Sequence, residues 1–136
     1  MDIQKGKFLN KSRGFTLIEL LVVIAIIGIL AAVVLVSLNS ARRKARDSRV
    51  QQDVRNAMSA IELYKNDNND APPASLNDLV TSNLIQQVPT MPDGGSYTFV
   101  VSGDSYCMSG QLSDNEYYYA RNGATGQTTD GSQPCN

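Results

Sequence analysis

LLVVIAIIGILAAVVLV, residues Leu20–Val36, runs for seventeen positions without a charged or polar side chain. Extending it to Phe15 and Leu38 admits only Thr16, Glu19 and Ser37. A membrane-crossing helix needs about 20 mostly apolar residues, and this stretch meets that length. A secretory signal peptide is the rival reading, with Ser37-Leu38-Asn39-Ser40-Ala41 as its small-residue cleavage site. Its apolar core would normally be about 7–15 residues, so this run is too long. It also carries an acid near its start. Glu19 inside a membrane helix costs about 2–3 kcal/mol even on lenient insertion scales. The helix dipole offsets a little of that, and a cationic partner would offset more.

Working outward on the N-terminal side, four basic residues (Lys5, Lys7, Lys11, Arg13) precede Phe15 against the single acid Asp2. From Phe15 onward eight basic residues face twelve acidic ones, and the chain as a whole has a net charge of -1. A near-neutral chain carries no bulk electrostatic pull toward nucleic acid. There is no histidine, and only Cys107 and Cys135 supply thiols. That removes the commonest general base and leaves too few ligands for a zinc site.

The segment Lys11-Ser12-Arg13-Gly14-Phe15-Thr16-Leu17-Ile18-Glu19-Leu20 resembles the prepilin signature of type IV pilins and type II secretion pseudopilins. Close similarity spans about Lys11 to Ala32; beyond it only the layout is shared. The resemblance implies that residues 1–14 are a basic leader, cut after Gly14 by a membrane aspartyl prepilin peptidase. The same enzyme class would then N-methylate Phe15. Glu19 would pair with the N-terminal amine of a neighbouring subunit. Physically, an unpaired Glu19 and an unpaired amine both suffer desolvation in lipid, and pairing across subunits lowers both costs. The implied partners are further copies in a helical filament, an assembly platform, and membrane lipid before assembly. The implied function is a structural filament subunit. A pseudopilin of a secretion or DNA-uptake machine is the second reading. A monomeric membrane-anchored binding module is the third. One departure from the family is the lack of a proline in Val33-Val34-Leu35-Val36, which leaves Gly28 as the weak point of the helix.

On the C-terminal side the pattern turns amphipathic. Val50, Val54, Ala57, Ile61 and Tyr64 recur at helical spacing, flanked by Met58 and Leu63. Neither Gly nor Pro interrupts the chain from Ile29 to Asp70, so one helix is expected from about Phe15 to Asn66. Residues 15–38 form its membrane and assembly part and residues 39–66 its amphipathic continuation. Arg42, Arg43, Lys44, Arg46 and Arg49 cluster just past the apolar run, with Arg42, Arg46 and Arg49 on one face. Because some pilins serve DNA uptake, DNA is one partner for this cluster. Headgroups or acids of adjacent subunits explain it without nucleic acid. These charges at least equal those of the leader, so the charge count alone does not orient the span. The leader motif and the cysteines place the C-terminal domain outside.

Residues 67–136 read as a small head, giving an α+β fold with the long helix packed on an antiparallel meander. Asp67-Asn68-Asn69-Asp70 and Pro72-Pro73 end the helix; the acids lack the glycine and distal glutamate of a calcium loop, so no metal is expected. Ser75-Leu76-Asn77-Asp78 opens a short helix to about Leu84. Tyr97–Val101, Tyr106–Leu112 and Glu116–Arg121 read as strands, with a Gly103-Asp104 hairpin between the first two. Tyr106, Met108 and Leu112 should face the helix. Strand propensity accounts for Tyr117-Tyr118-Tyr119 as well as any adhesive role does. The Gly-, Thr- and Ser-rich stretch after Asn122 has the composition of disorder, pinned by a Cys107–Cys135 disulfide. No catalytic constellation or cofactor motif is present, so no enzyme is expected.

Overall fold

The computed structural model describes residues 14–136, so residues 1–13 of the expected basic leader lie outside the described residues. The elements are α1 (Leu17–Asp67), α2 (Leu76–Thr81), β1 (Thr98–Ser102), β2 (Ser105–Gln111), β3 (Tyr117–Arg121) and β4 (Ala124–Thr128). The chain divides into two compact units, one ending at Asn39 and the other running from Ser40 to Asn136.

In the first unit α1 presents apolar side chains on every side, and none of them is buried against the chain itself. In the second unit α1 buries one stripe, Val50, Val54, Ala57, Ala60 and Ile61. Tyr64 and Met58 pack at its margin, whereas Leu63 points to solvent. α1 ends where Lys65 O accepts from the N–H groups of Asn68 (3.1 Å) and Asp70 (2.8 Å). Asn69 and Asp70 adopt left-handed backbone there, and the two prolines that follow block any continuation.

The Ser75 N–H donates to the Asp78 carboxylate at 2.8 Å, one arm of a capping box that starts α2. α2 stops at Thr81, three residues short of the expected Leu84. Asn83 turns left-handed, and the N–H groups of Leu84 and Ile85 both return to Leu79 O, which closes the last turn. Leu76 and Leu79 anchor α2 in the core.

The sheet is an antiparallel meander in the order β1-β2-β3-β4. Ser102 opposes Ser105, so Gly103 and Asp104 form the two-residue turn expected from the sequence. Strand bounds shift by one residue from the sequence reading. The larger correction is β4: the stretch expected to be unstructured pairs with β3 along its length, Arg121 with Ala124 and Tyr117 with Thr128. Asn122 (φ 48°) and Gly123 (φ 79°) make the turn, since both central positions of such a hairpin need positive φ.

Tyr106 and Met108 on β2 meet Val50, Val54, Ile61 and Leu79 in the core, and Leu112 joins them just past the strand end. Burial of such a side chain stabilises by about 1.5–3 kcal/mol. Gly110, on the same face, lies where β2 crosses α1. A Cβ there would sit 2.7 Å from Val50 Cγ1 and 2.6 Å from the Tyr97 ring, so the crossing distance requires glycine. On the opposite face Cys107 is bonded to Cys135, with the Cα atoms 5.4 Å apart. The tail lies along this face: Gln133 Nε2 donates to Thr98 Oγ1 at 2.6 Å, and Arg121 donates to Pro134 O.

A polar seam fastens sheet and loops to α1. Tyr97 and Tyr106 donate their hydroxyls to Asp53 (2.8 Å) and Glu62 (2.6 Å). Burial, and then those carboxylate acceptors, push both phenols above their ordinary value. Arg55 Nε donates to the Tyr118 hydroxyl at 2.8 Å, and Ser113 donates its N–H and Oγ–H to Asp47, each at 2.8 Å. Arg46 pairs with Asp93.

Candidate assembly helix and its N-terminal end

Gly14, Phe15 and Thr16 precede α1 in non-helical conformation and are exposed; Phe15 retains 86% of its accessible surface. Among the described residues, no atom outside its chain neighbours lies within 4 Å of where a Gly14 side chain would begin.

Thr16 is the N-cap, and the helix starts there for a definable reason. Glu19 Oε2 accepts from the Thr16 N–H at 2.8 Å and from the Thr16 hydroxyl at 2.7 Å. The Glu19 N–H returns a longer bond of 3.3 Å to Thr16 Oγ1. This Thr-x-x-Glu arrangement satisfies donors that the first helical turn leaves without partners. Thr16 was not singled out from the sequence, although its spacing to Glu19 matches the capping-box pattern. The acid thus has two assignments. Its Oε2 closes the helix start, while Oε1 has no donor among the described residues and is available to a cation. No cation lies within ion-pair distance of Glu19 among the described residues.

Downstream of Glu19 the helix is long and apolar enough to cross a membrane. Leu20 to Leu38 offers Leu, Ile and Val at every azimuth, with Ile29 and Val36 among the most exposed. In lipid such a surface is already solvated, so association of helices there depends on packing and on polar pairs rather than on the hydrophobic effect. Gly28 projects nothing into its surroundings and leaves room for a close neighbour.

The basic cluster is not uniform. Arg46 is held by Asp93, and Arg49 lies 3.7 Å from Asp53 one turn along α1. Arg42, Arg46 and Arg49 keep the one helix face their spacing gives them, but loop 91–95 and Asp53 engage two of the three. Arg42, Arg43 and Lys44 are exposed. Among the described residues no group of His, Cys, Asp or Glu is arranged to hold a metal ion, and Asp67–Asp70 forms an exposed turn.

A family model described as the prokaryotic N-terminal methylation motif matches residues 9–35. The chain is 36% identical over 117 residues to the type IV wide pilus major component PilA4 of Thermus thermophilus, covering 82% of each. It is 33% identical over 110 residues to the type II secretion system core protein G of Escherichia coli, covering 70% of this chain and 76% of that one. The corresponding protein of Klebsiella michiganensis is 36% identical over 109 residues, covering 69% and 77%. No solved structure matches the chain. With a methylation motif on its apolar helix, a meander beyond it and these relatives along most of its length, the chain belongs to the family of type IV pilins and type II secretion pseudopilins.

Proposed function

We propose that the chain is a structural filament subunit, made as a membrane-inserted precursor, cut between Gly14 and Phe15 and methylated on Phe15. The observation that carries this reading is an apolar helix segment with no residue buried against the described chain, while its first turn holds a half-satisfied carboxylate. Such a helix requires either lipid or copies of itself on every side. Cleavage frees an α-amine four residues before Glu19, and the amine of one subunit pairs with Glu19 of the next. That contact removes two desolvated charges together and fixes the axial register between helices. The Cys107–Cys135 bond supports a head exposed to an oxidising compartment, outside the cytoplasmic membrane. The partners are a prepilin peptidase and methyltransferase, an assembly platform and further copies of the chain. The subunit does no catalysis of its own.

The type II secretion relatives favour a second reading, a pseudopilin of a shorter filament. Mass spectrometry of protein recovered from sheared cell-surface fibres tests the first. The expected product begins at methylated Phe15. Protein that begins at Met1 would refute processing. Correctly processed protein confined to the cell envelope would assign the chain to the pseudopilus, and a processed monomer would assign it to a membrane-anchored binding module.

A further inference from the structure

The head carries an excess of exposed basic side chains at one end and of exposed acidic ones at the other, where Lys65 and Arg121 offset part of the acidic charge. β2 runs antiparallel to α1: Ser113, after its end, bonds Asp47, whereas Tyr106, at its start, bonds Glu62. The Asp104 turn therefore falls at the same end of the head as Asp67 and Asp70. All three acids are exposed; Asp70 lies 3.6 Å from Lys65, and Asp67 and Asp104 have no ion-pair partner among the described residues. Asp67 occupies the last turn of α1, where the helix dipole disfavours an acid, so helix stability does not explain it.

At the other end stand Arg42, Arg43 and Lys44, exposed and without an ion-pair partner among the described residues. Arg43 and Arg46 line an open cleft with Gln111, Leu112, Ser113 and Asn115. Arg46 gives its terminal nitrogen to Asp93, but its Nε–H is buried with no acceptor. Of the acids around the cleft, Asp47 is committed to Ser113 and Glu116 to Gln127, while Asp114 on the flanking loop is exposed. Arg43 is thus the cation this cleft presents to solvent, since Arg46 is taken up by Asp93 and its Nε–H is buried.

We infer that the Arg42–Lys44 end of one head docks on the Asp67, Asp70 and Asp104 end of another copy, as a second contact that sets the filament's axial stagger. The inference rests on the filament reading. Arg43 and Asp67 lie about 36 Å apart along α1 at the α-helical rise, so parallel copies make this contact when displaced by about that distance. The Glu19-to-amine contact corresponds to a displacement of only about 6 Å, the rise over four residues. One chain therefore uses the two contacts with different neighbours: the short one with the adjacent subunit, the long one with a subunit several places along. Charge complementarity on this scale also selects parallel over antiparallel packing, since antiparallel heads would bring like ends together.

Charge reversal tests it in fibre-producing cells. Arg43→Glu with Lys44→Glu is expected to lower the yield of sheared fibres about tenfold while leaving processing and precursor level unchanged. Adding Asp67→Lys with Asp104→Lys to the same chain should restore the yield to within about twofold. Independently, Arg43→Cys with Asp67→Cys should give an oxidation-dependent ladder of linked subunits in fibres, and either single variant should not. Normal fibres from the first reversal overturn the inference and leave the filament reading standing. So does a loss that the compensating reversal fails to restore, together with weakened binding to phosphatidylglycerol vesicles, which would assign the cations to lipid. Absence of fibres from the wild type overturns the filament reading, and this contact with it.

Discussion

At Gly110 the backbone of β2 comes so close to α1 that a methyl group would overlap Val50 and the Tyr97 ring. Gly110→Ala is expected to destabilise the head by about 1–3 kcal/mol through overpacking, read as a lower denaturation midpoint at an unchanged slope. Gly28→Ala meets no atom in the chain itself and should leave the stability of the head unaltered. Tyr97 and Tyr106 give a second residue-scale expectation. Both phenols are raised above 10.0 by burial and by carboxylate acceptors on α1. The folded chain therefore holds these two protons more tightly than the unfolded chain. Their contribution to stability is complete below about pH 10, the ordinary tyrosine value, and is lost as pH rises above it. Alkaline titration of the melting temperature should show an extra fall from about pH 10, reduced in Tyr97→Phe. A wild-type-like fall in that variant would remove Tyr97 from the account.

Among the elements, β4 and the tail after it depend most on connections outside themselves. β4 has the sequence ATGQT, with weak strand propensity, and its pairing relies on the Asn122-Gly123 turn. Asn122 also accepts from the Tyr106 N–H at 2.9 Å, and Gly123 N–H donates to the Tyr106 hydroxyl at 3.0 Å. The hairpin end is thus tied to the residue that bonds Glu62 on α1. Beyond β4 the chain is fixed by Cys135. The two cysteines are separated by 28 positions, and closing a loop of that size stabilises by roughly 3–4 kcal/mol on the chain-entropy model. Cys135→Ser should lower stability by about that amount. It should also raise amide exchange in residues 129–136 while leaving β1–β3 protected. Uniform loss of protection across the sheet would instead make the bond a requirement for the whole head.

For the molecule as a whole, the core that defines the head is drawn from residues after Ser40, and the apolar part of α1 adds nothing to it. A chain beginning at Ser40 is therefore expected to fold, melt cooperatively and remain monomeric, checked by calorimetry and sedimentation. A molten or aggregated product would show that the apolar helix is needed for folding as well as assembly. The sequence by itself determined the helix, its apolar and amphipathic halves, the N-terminal methylation motif that includes Gly14 and Phe15, and the first hairpin. Each of these is local: periodicity, the presence or absence of Gly and Pro, and a contiguous motif carry it. Only the tertiary structure decided β4, the early end of α2, the pairing of Arg46 with Asp93 and the glycine requirement at 110. Those depend on groups brought together from far apart in the chain: a weak strand becomes one when its neighbour supplies a ladder, and an arginine leaves an exposed cluster when a loop 47 residues on presents an acid. Glu19 belongs to both accounts. Its presence in an apolar run was plain from the sequence, but that Thr16 occupies one of its oxygens and leaves the other open is a matter of geometry.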